Sequence, residues 1–107
     1  MNKYHAQRTY SQLCQRTFDS KLECKRGEQL RLMEMAGEIE GLEYQIGIVL
    51  SVKPKVTITI DFRYIEKGKT EWTYEEVKGV LTRDFRTKMA WVKEKYDIDI
   101  QLNLGGK

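Results

Sequence analysis

The sequence predicts a single α/β domain with a mixed sheet, its elements ordered α-β-β-β-α-β. Three observations carry this reading. Residues 56–65 alternate with period two, setting Val56, Ile58, Ile60, Phe62 and Tyr64 on one face and Thr57, Thr59, Asp61 and Arg63 on the other. That is the pattern of a half-buried strand. Residues 81–96 carry Leu81, Phe85, Met89, Val92 and Tyr96 at spacings of four, four, three and four, the apolar stripe of an amphipathic helix. The chain's 107 residues, 40% hydrophobic and 33% charged, suit one globular domain.

Residues 1–17 are polar and basic, with Tyr4 and Tyr10 scattered among them. They read as a basic N-terminal arm, with a short β-element as the alternative. Ser20 followed by Glu23 forms a capping box, and Asp19 is a competing N-cap. Good helix formers run on to Ala36, and Gly37 suits a helix stop. Leu22, Leu30 and Met33, with Ile39 just beyond, mark the apolar stripe. Residues 42–52 are rich in β-branched and apolar types and predict the first strand, with Pro54 marking the turn. The second strand is 56–65 and the third 70–78. Gly68-Lys69 between them suits a two-residue type II′ loop. Thr82 reads as the N-cap of the second helix, and residues 98–104 alternate as the last strand. The chain contains no repeat, low-complexity tract or linker.

Composition excludes several functions. The longest near-apolar stretch, Ile46 to Val52, is far short of the roughly 18 residues a membrane helix needs. The N-terminus has no apolar signal core. Cys14 and Cys24 form no CxxC pair and lack partner ligands, which argues against zinc and for a reduced, intracellular setting. A cytoplasmic location is expected. There is no Gly-rich phosphate loop, so no nucleotide cofactor is expected. The lone His5 reads as a surface residue rather than a general base. Trp72 is expected to pair across a hairpin, and Trp91 to edge the core or a dimer contact. The net charge is +3, but residues 1–31 hold seven basic and three acidic groups and residues 67–95 eight and five. These two basic segments flank an acidic middle, and basic clusters attract phosphate backbones.

Register sharpens the chemistry. With Gly68-Lys69 as the loop, Ile65 faces Trp72, Arg63 faces Tyr74 and Asp61 faces Glu76. Cross-strand partners share a side of the sheet, about 4.5–5.5 Å apart at Cβ. Asp61 and Glu76 then sit side by side with Lys78 two residues along, and Ile58, Ile60 and Val77 take the opposite face. Neighbouring carboxylates share a proton, bind a cation or point to solvent. Oxygen ligands from two adjacent strands suit Mg²⁺, and a lysine beside them can neutralise charge on a reacting phosphate. The plain alternative is an exposed strand face of mixed charge.

Taken together, Phe18-Asp19-Ser20-Lys21-Leu22-Glu23, Ile60-Asp61-Phe62-Arg63-Tyr64 and Glu75-Glu76-Val77-Lys78-Gly79 resemble the PD-(D/E)XK nuclease superfamily, whose core has the same element order. The closer likeness is to short phage and prophage proteins similar to phage endonuclease I and Holliday-junction resolvases. It covers roughly residues 2–104. Ile60 stands where the superfamily motif has Pro.

The resemblance implies a restriction-endonuclease-like core and a Mg²⁺- or Mn²⁺-dependent DNA endonuclease acting on branched DNA in phage recombination. Asp61 and Glu76 would hold the metal, Lys78 would be the catalytic lysine, and Glu23 would complete the metal shell from the first helix. Arg83, Arg86, Lys88 and Lys93 on the second helix would contact DNA, with Arg8, Arg16 and Lys21; the basic segment of Lys3, Arg8 and Arg16 would be a DNA-tracking arm or a dimer-exchange arm. Cutting a junction twice requires paired sites, hence a homodimer. The alternative function is a catalytically silent DNA- or protein-binding accessory module on the same fold.

Overall fold

The structure, a computed structural model, describes residues 7–104. Its elements are β1 (Thr9–Ser11), β2 (Arg16–Phe18), α1 (Lys21–Met35), β3 (Ile39–Val52), β4 (Lys55–Glu66), β5 (Trp72–Val77), α2 (Arg83–Tyr96) and β6 (Ile100–Asn103). From α1 onward the order is the expected α-β-β-β-α-β. The result is a small α/β domain with a mixed four-stranded sheet and two helices.

Of the two readings of the N-terminal segment, residues 9–18 take the short β-element rather than the arm. β1 and β2 pair antiparallel, Thr9 opposite Phe18, and the hairpin packs on α1. Its alternation explains why: Ser11 and Phe18 are each 1% exposed. Ser11 Oγ donates to Glu28 Oε2 at 2.7 Å and accepts from the Cys14 N–H at 3.1 Å. Phe18 enters the core where α1 has Gly27; a Cβ there would lie 2.6 Å from Phe18 Cζ. Lys3, Tyr4 and His5 lie outside the described residues.

α1 begins as expected, with Ser20 Oγ accepting from the Glu23 N–H at 3.0 Å. It ends at Gly37, whose φ of +78° a side chain would disfavour. The Gly37 N–H donates to Glu34 O at 3.0 Å and the Glu38 N–H to Met33 O at 2.9 Å, the paired bonds of a Schellman stop. Thr82 caps α2 by accepting from the Phe85 N–H at 3.2 Å.

The sheet order is β3-β4-β5-β6, antiparallel except for the parallel β5–β6 pair. Parallel neighbours need a crossover, and α2 supplies it. The strands differ in extent from the expectation: the first starts earlier, at Ile39, and the last is shorter, at Ile100–Asn103. The β4–β5 register is the expected one, with Ile65 opposite Trp72, Arg63 opposite Tyr74 and Phe62 opposite Glu75. The two-residue loop is corrected. The strands stop at Glu66 and Trp72, and the Lys69 N–H donates to Glu66 O at 2.9 Å. Gly68, with φ +82°, therefore occupies the third turn position, where a type II turn needs positive φ.

Two apolar cores flank the sheet. Phe18, Cys24, Leu30, Ile39, Phe62, Tyr64 and Val77 pack around α1. Leu50, Ile58, Ile60, Phe85 and Val92 pack around α2, with Tyr74, Ile100 and Leu102 against them. Strict alternation would keep Ile58, Ile60, Phe62 and Tyr64 on one face, and would place Val77 with Ile58 and Ile60. Both expectations are corrected. β4 serves the α2 core up to Ile60 and the α1 core from Phe62 onward, and the change falls at Asp61. β3 pairs Ile46 with Ile60 and Tyr44 with Phe62, which sets Gln45 opposite Asp61. Gln45 has φ +54°, so the partner strand departs from extended backbone at the same point. Among the described residues, no helix is long and apolar enough to cross a membrane.

Candidate active site

The last residue pair between β4 and β5 on the Asp61 side is Phe62–Glu75. Past it, side chains take over the hydrogen bonding of the ladder. The Val77 N–H donates to Asp61 Oδ2 at 2.9 Å, and the Asp61 N–H donates to Glu76 Oε1 at 2.9 Å. Each carboxylate thus satisfies the other strand's backbone while keeping one oxygen for other partners. The expected juxtaposition of Asp61 and Glu76 is present, and both are buried rather than on an exposed face, at 8% and 4%.

Glu23 joins them from the first turn of α1, also buried. The Gln45 amide links it to Asp61, with Nε2 donating to Glu23 Oε2 at 2.9 Å and to Asp61 Oδ1 at 3.2 Å. Lys78 Nζ lies 3.2 Å from Glu76 Oε2 and 4.3 Å from the centroid of the Phe85 ring. α2 therefore holds the lysine through a cation–π contact. Glu23, Gln45, Asp61, Glu76 and Lys78, with Arg8, Asp19, Ser20, Thr59 and Val77, line a cavity of about 570 Å³.

Burial sets the electrostatics. Glu23 is pushed up to about 8, first by desolvation and then by the charges of Asp61, Asp19 and Glu76. Glu76 is pushed up to about 7 by desolvation and by Asp61, against the pull of Lys78. Asp61 is also raised by desolvation, which outweighs its bonds from Val77 and Gln45 and the charge of Lys78. Such a site favours a bound proton or a cation at neutral pH.

The donors are oxygens on two adjacent strands. They fit a hard divalent cation of the Mg²⁺ type, which takes one or two carboxylates and keeps waters. Among the described residues, no group of three or more His, Cys, Asp or Glu side chains is gathered to hold a metal ion. Glu23, expected as a third ligand, reaches Asp61 through Gln45 instead.

The basic residues divide. Arg8 lines the cavity and lies 3.9 Å from Asp19 Oδ1. Lys21 is exposed on the first turn of α1. Arg16 is engaged in packing: its guanidinium carbon sits 4.4 Å from the Tyr44 ring centroid and 5.4 Å from that of Phe18. Its Nε is buried without a hydrogen-bond partner among the described residues. None of the four basic residues expected from α2 lines the cavity. Arg83 is exposed, Lys88 pairs with Asp84 at 3.4 Å, and Lys93 pairs with Asp97 at 2.7 Å and Asp99 at 3.0 Å. Arg86 and Lys93 border a separate groove with Leu81, Met89 and Ile98.

Trp72 does pair across the hairpin, opposite Ile65, and carries the Arg63 guanidinium 4.0 Å above its ring. Trp91 sits at the surface, and Cys14 and Cys24 are free thiols. Glu75 stays out of the cavity. It accepts from Arg26 at 2.6 and 3.0 Å, from the Tyr64 hydroxyl at 2.8 Å and from Asn103 at 3.3 Å. This buried cluster ties α1, β4 and β6 to the strand that carries Glu76 and so fixes its position.

Gln45 is the site residue that sequence reasoning missed. The sequence offered only a polar side chain inside the strand Tyr44-Gln45-Ile46; the register irregularity between Val49 and Ser51, which sets it opposite Asp61, is a feature of the structure.

The fold and this cavity define a small α/β domain with an acidic, lysine-bearing site where its two central strands part. Residues 1–105 match the family described as "Protein of unknown function (DUF1064)", and the chain belongs to that family. No curated protein matches the chain, and no solved structure does.

Proposed function

We propose that this domain is a PD-(D/E)XK-type, metal-dependent DNA endonuclease that hydrolyses phosphodiester bonds in branched DNA. The observation that carries the reading is the buried Asp61–Glu76 pair with Lys78 in contact, opening on one cavity with Glu23. Burying carboxylates costs stability unless they are paired or used. Asp61, Glu76, Lys78 and Glu23, the residues to which the resemblance assigns roles, line this one cavity.

A divalent cation at Asp61 and Glu76 would supply charge to a scissile phosphate and acidify an attacking water. The chain's own groups account for the rest. Lys78, held between Glu76 and the Phe85 ring, donates to a phosphate oxygen and stabilises the charge that builds there. Arg8 at the cavity lining offers a second cationic contact for the strand. In the reaction the water oxygen bonds to phosphorus, the ester P–O bond breaks, and a proton passes to the leaving oxygen. A homodimer would present two such sites to a junction.

The test is cleavage of a labelled four-way junction beside a matching linear duplex, with Mg²⁺, with Mn²⁺ and with chelator. Metal-dependent paired cuts in the junction support the proposal, and equal cutting of both substrates removes the junction preference. Lys78→Ala and Asp61→Ala should abolish cleavage and retain DNA binding. Normal cutting by Lys78→Ala would remove that lysine from the mechanism.

A second reading is a silent DNA- or protein-binding module. It is favoured by the Gln45 amide, which already satisfies two of the acids. Binding of DNA with no cutting under any metal would select it.

A further inference from the structure

Gln45 occupies an unusual place. Its backbone has φ +54°, a left-handed conformation that non-glycine residues seldom adopt and that proteins keep mainly where surroundings or function demand it. It lies opposite Asp61, where β4 changes from one core to the other. From there one amide nitrogen donates to two carboxylates on different elements, 2.9 Å to Glu23 on α1 and 3.2 Å to Asp61 on β4. An N–H₂ group bridging two carboxylates engages lone pairs that a hard cation would take. Gln45 is itself exposed, so its side chain can turn out to solvent without disturbing either core.

We infer that Gln45 is a positioning residue that stands in for the cation: its amide holds Glu23 and Asp61 together in the metal-free protein and gives up that place when a divalent ion binds. This rests on the cation-dependent reading of the site. When no ion is bound, the amide satisfies one oxygen on each of the two acids. The bond to Asp61 Oδ1 must break before the ion can take that oxygen, so Gln45 weakens ion binding while it stabilises the ion-free state. No bond-making role in hydrolysis follows for it.

The experiment compares wild type, Gln45→Ala and Gln45→Asn. Mn²⁺ is titrated calorimetrically, and thermal unfolding is followed in chelator and at saturating Mn²⁺. Ala removes the amide without easing the backbone. Asn keeps an amide one methylene shorter, too short to span both acids, and tolerates the left-handed backbone. Both variants should melt below wild type in chelator, regain most of the difference at saturating Mn²⁺, and bind Mn²⁺ about fivefold more tightly, the worth of one displaced hydrogen bond.

An equal deficit in both conditions with unchanged Mn²⁺ affinity would make Gln45 merely structural and overturn the inference. Weaker Mn²⁺ binding would overturn it too, by making the amide oxygen a ligand. If wild type binds Mn²⁺ and cuts DNA while the variants bind Mn²⁺ as wild type does, only the Gln45 inference fails. If wild type binds no Mn²⁺, the nuclease reading fails with it.

Discussion

Replacing Glu23 with Gln tests the electrostatics of the cavity most directly. Glu23 is 5% exposed and its carboxyl is pushed from 4.5 up to about 8, chiefly by burial and then by Asp61, Asp19 and Glu76. Because the native carboxyl binds its proton more tightly than the unfolded one, its contribution to stability is fully present below the unfolded value. That contribution is lost as pH rises from there through about 8. Each tenfold change in proton affinity is worth about 1.4 kcal/mol, so ionising Glu23 costs the fold about 4 kcal/mol at a pH of about 8 and about 1 kcal/mol at about 5. Gln has the same shape, can still accept from Gln45, and carries no charge. Urea unfolding in chelator should therefore show Glu23→Gln gaining about 4 kcal/mol over wild type near pH 8 and about 1 kcal/mol near pH 5. A gain of equal size at both pH values, or a loss near pH 8, would refute the account of burial and mutual repulsion.

Other consequences follow from the packing. Gly27→Ala puts a Cβ 2.6 Å from Phe18 Cζ, and Phe18 is buried against Tyr44 and Phe62 and cannot withdraw. The better helix propensity of Ala is outweighed, and thermal or urea unfolding should show a loss of about 1–3 kcal/mol. Arg26→Ala strips the buried Glu75 carboxylate of its bidentate partner and should cost about 3–5 kcal/mol in the same assay. The double variant Arg26→Ala/Glu75→Gln should recover part of that, since the unpaired charge is gone. Asp61→Asn should remove most of the Mn²⁺-induced rise in melting temperature that the cation reading predicts for wild type, because a neutral amide replaces one of the two ligands.

The local chemistry of the chain was legible without coordinates. Ser20 with Glu23 placed the start of α1, Gly37 its end and Thr82 the start of α2, because caps depend on side chains within a few residues of one another. The β4–β5 register followed from alternation and loop position, and it brought Asp61 beside Glu76. The motif residues Asp61, Glu76, Lys78 and Glu23 do meet in one cavity. Other features depend on partners distant in sequence. The polar N-terminal segment leaves an arm and a short β-element open, and Thr9–Phe18 forms the hairpin with Phe18 seated against Gly27. The basic residues of α2 resembled a single DNA-facing set, whereas two of them pair with acids on or just beyond their own helix and none lines the cavity.

What the sequence by itself determined is the order of elements, their caps, one strand register and the acids that share a site. All of these rest on periodicity and near-neighbour contacts. Only the tertiary structure decided how that site is built. The change of core at Asp61, the left-handed backbone of Gln45 facing it, and the amide that spans Glu23 and Asp61 arise where α1, β3 and β4 meet. No local pattern encodes that meeting, because strict alternation places Ile60 and Phe62 on one face. It takes the competing demands of two cores to break the alternation and turn a carboxylate into the gap between strands.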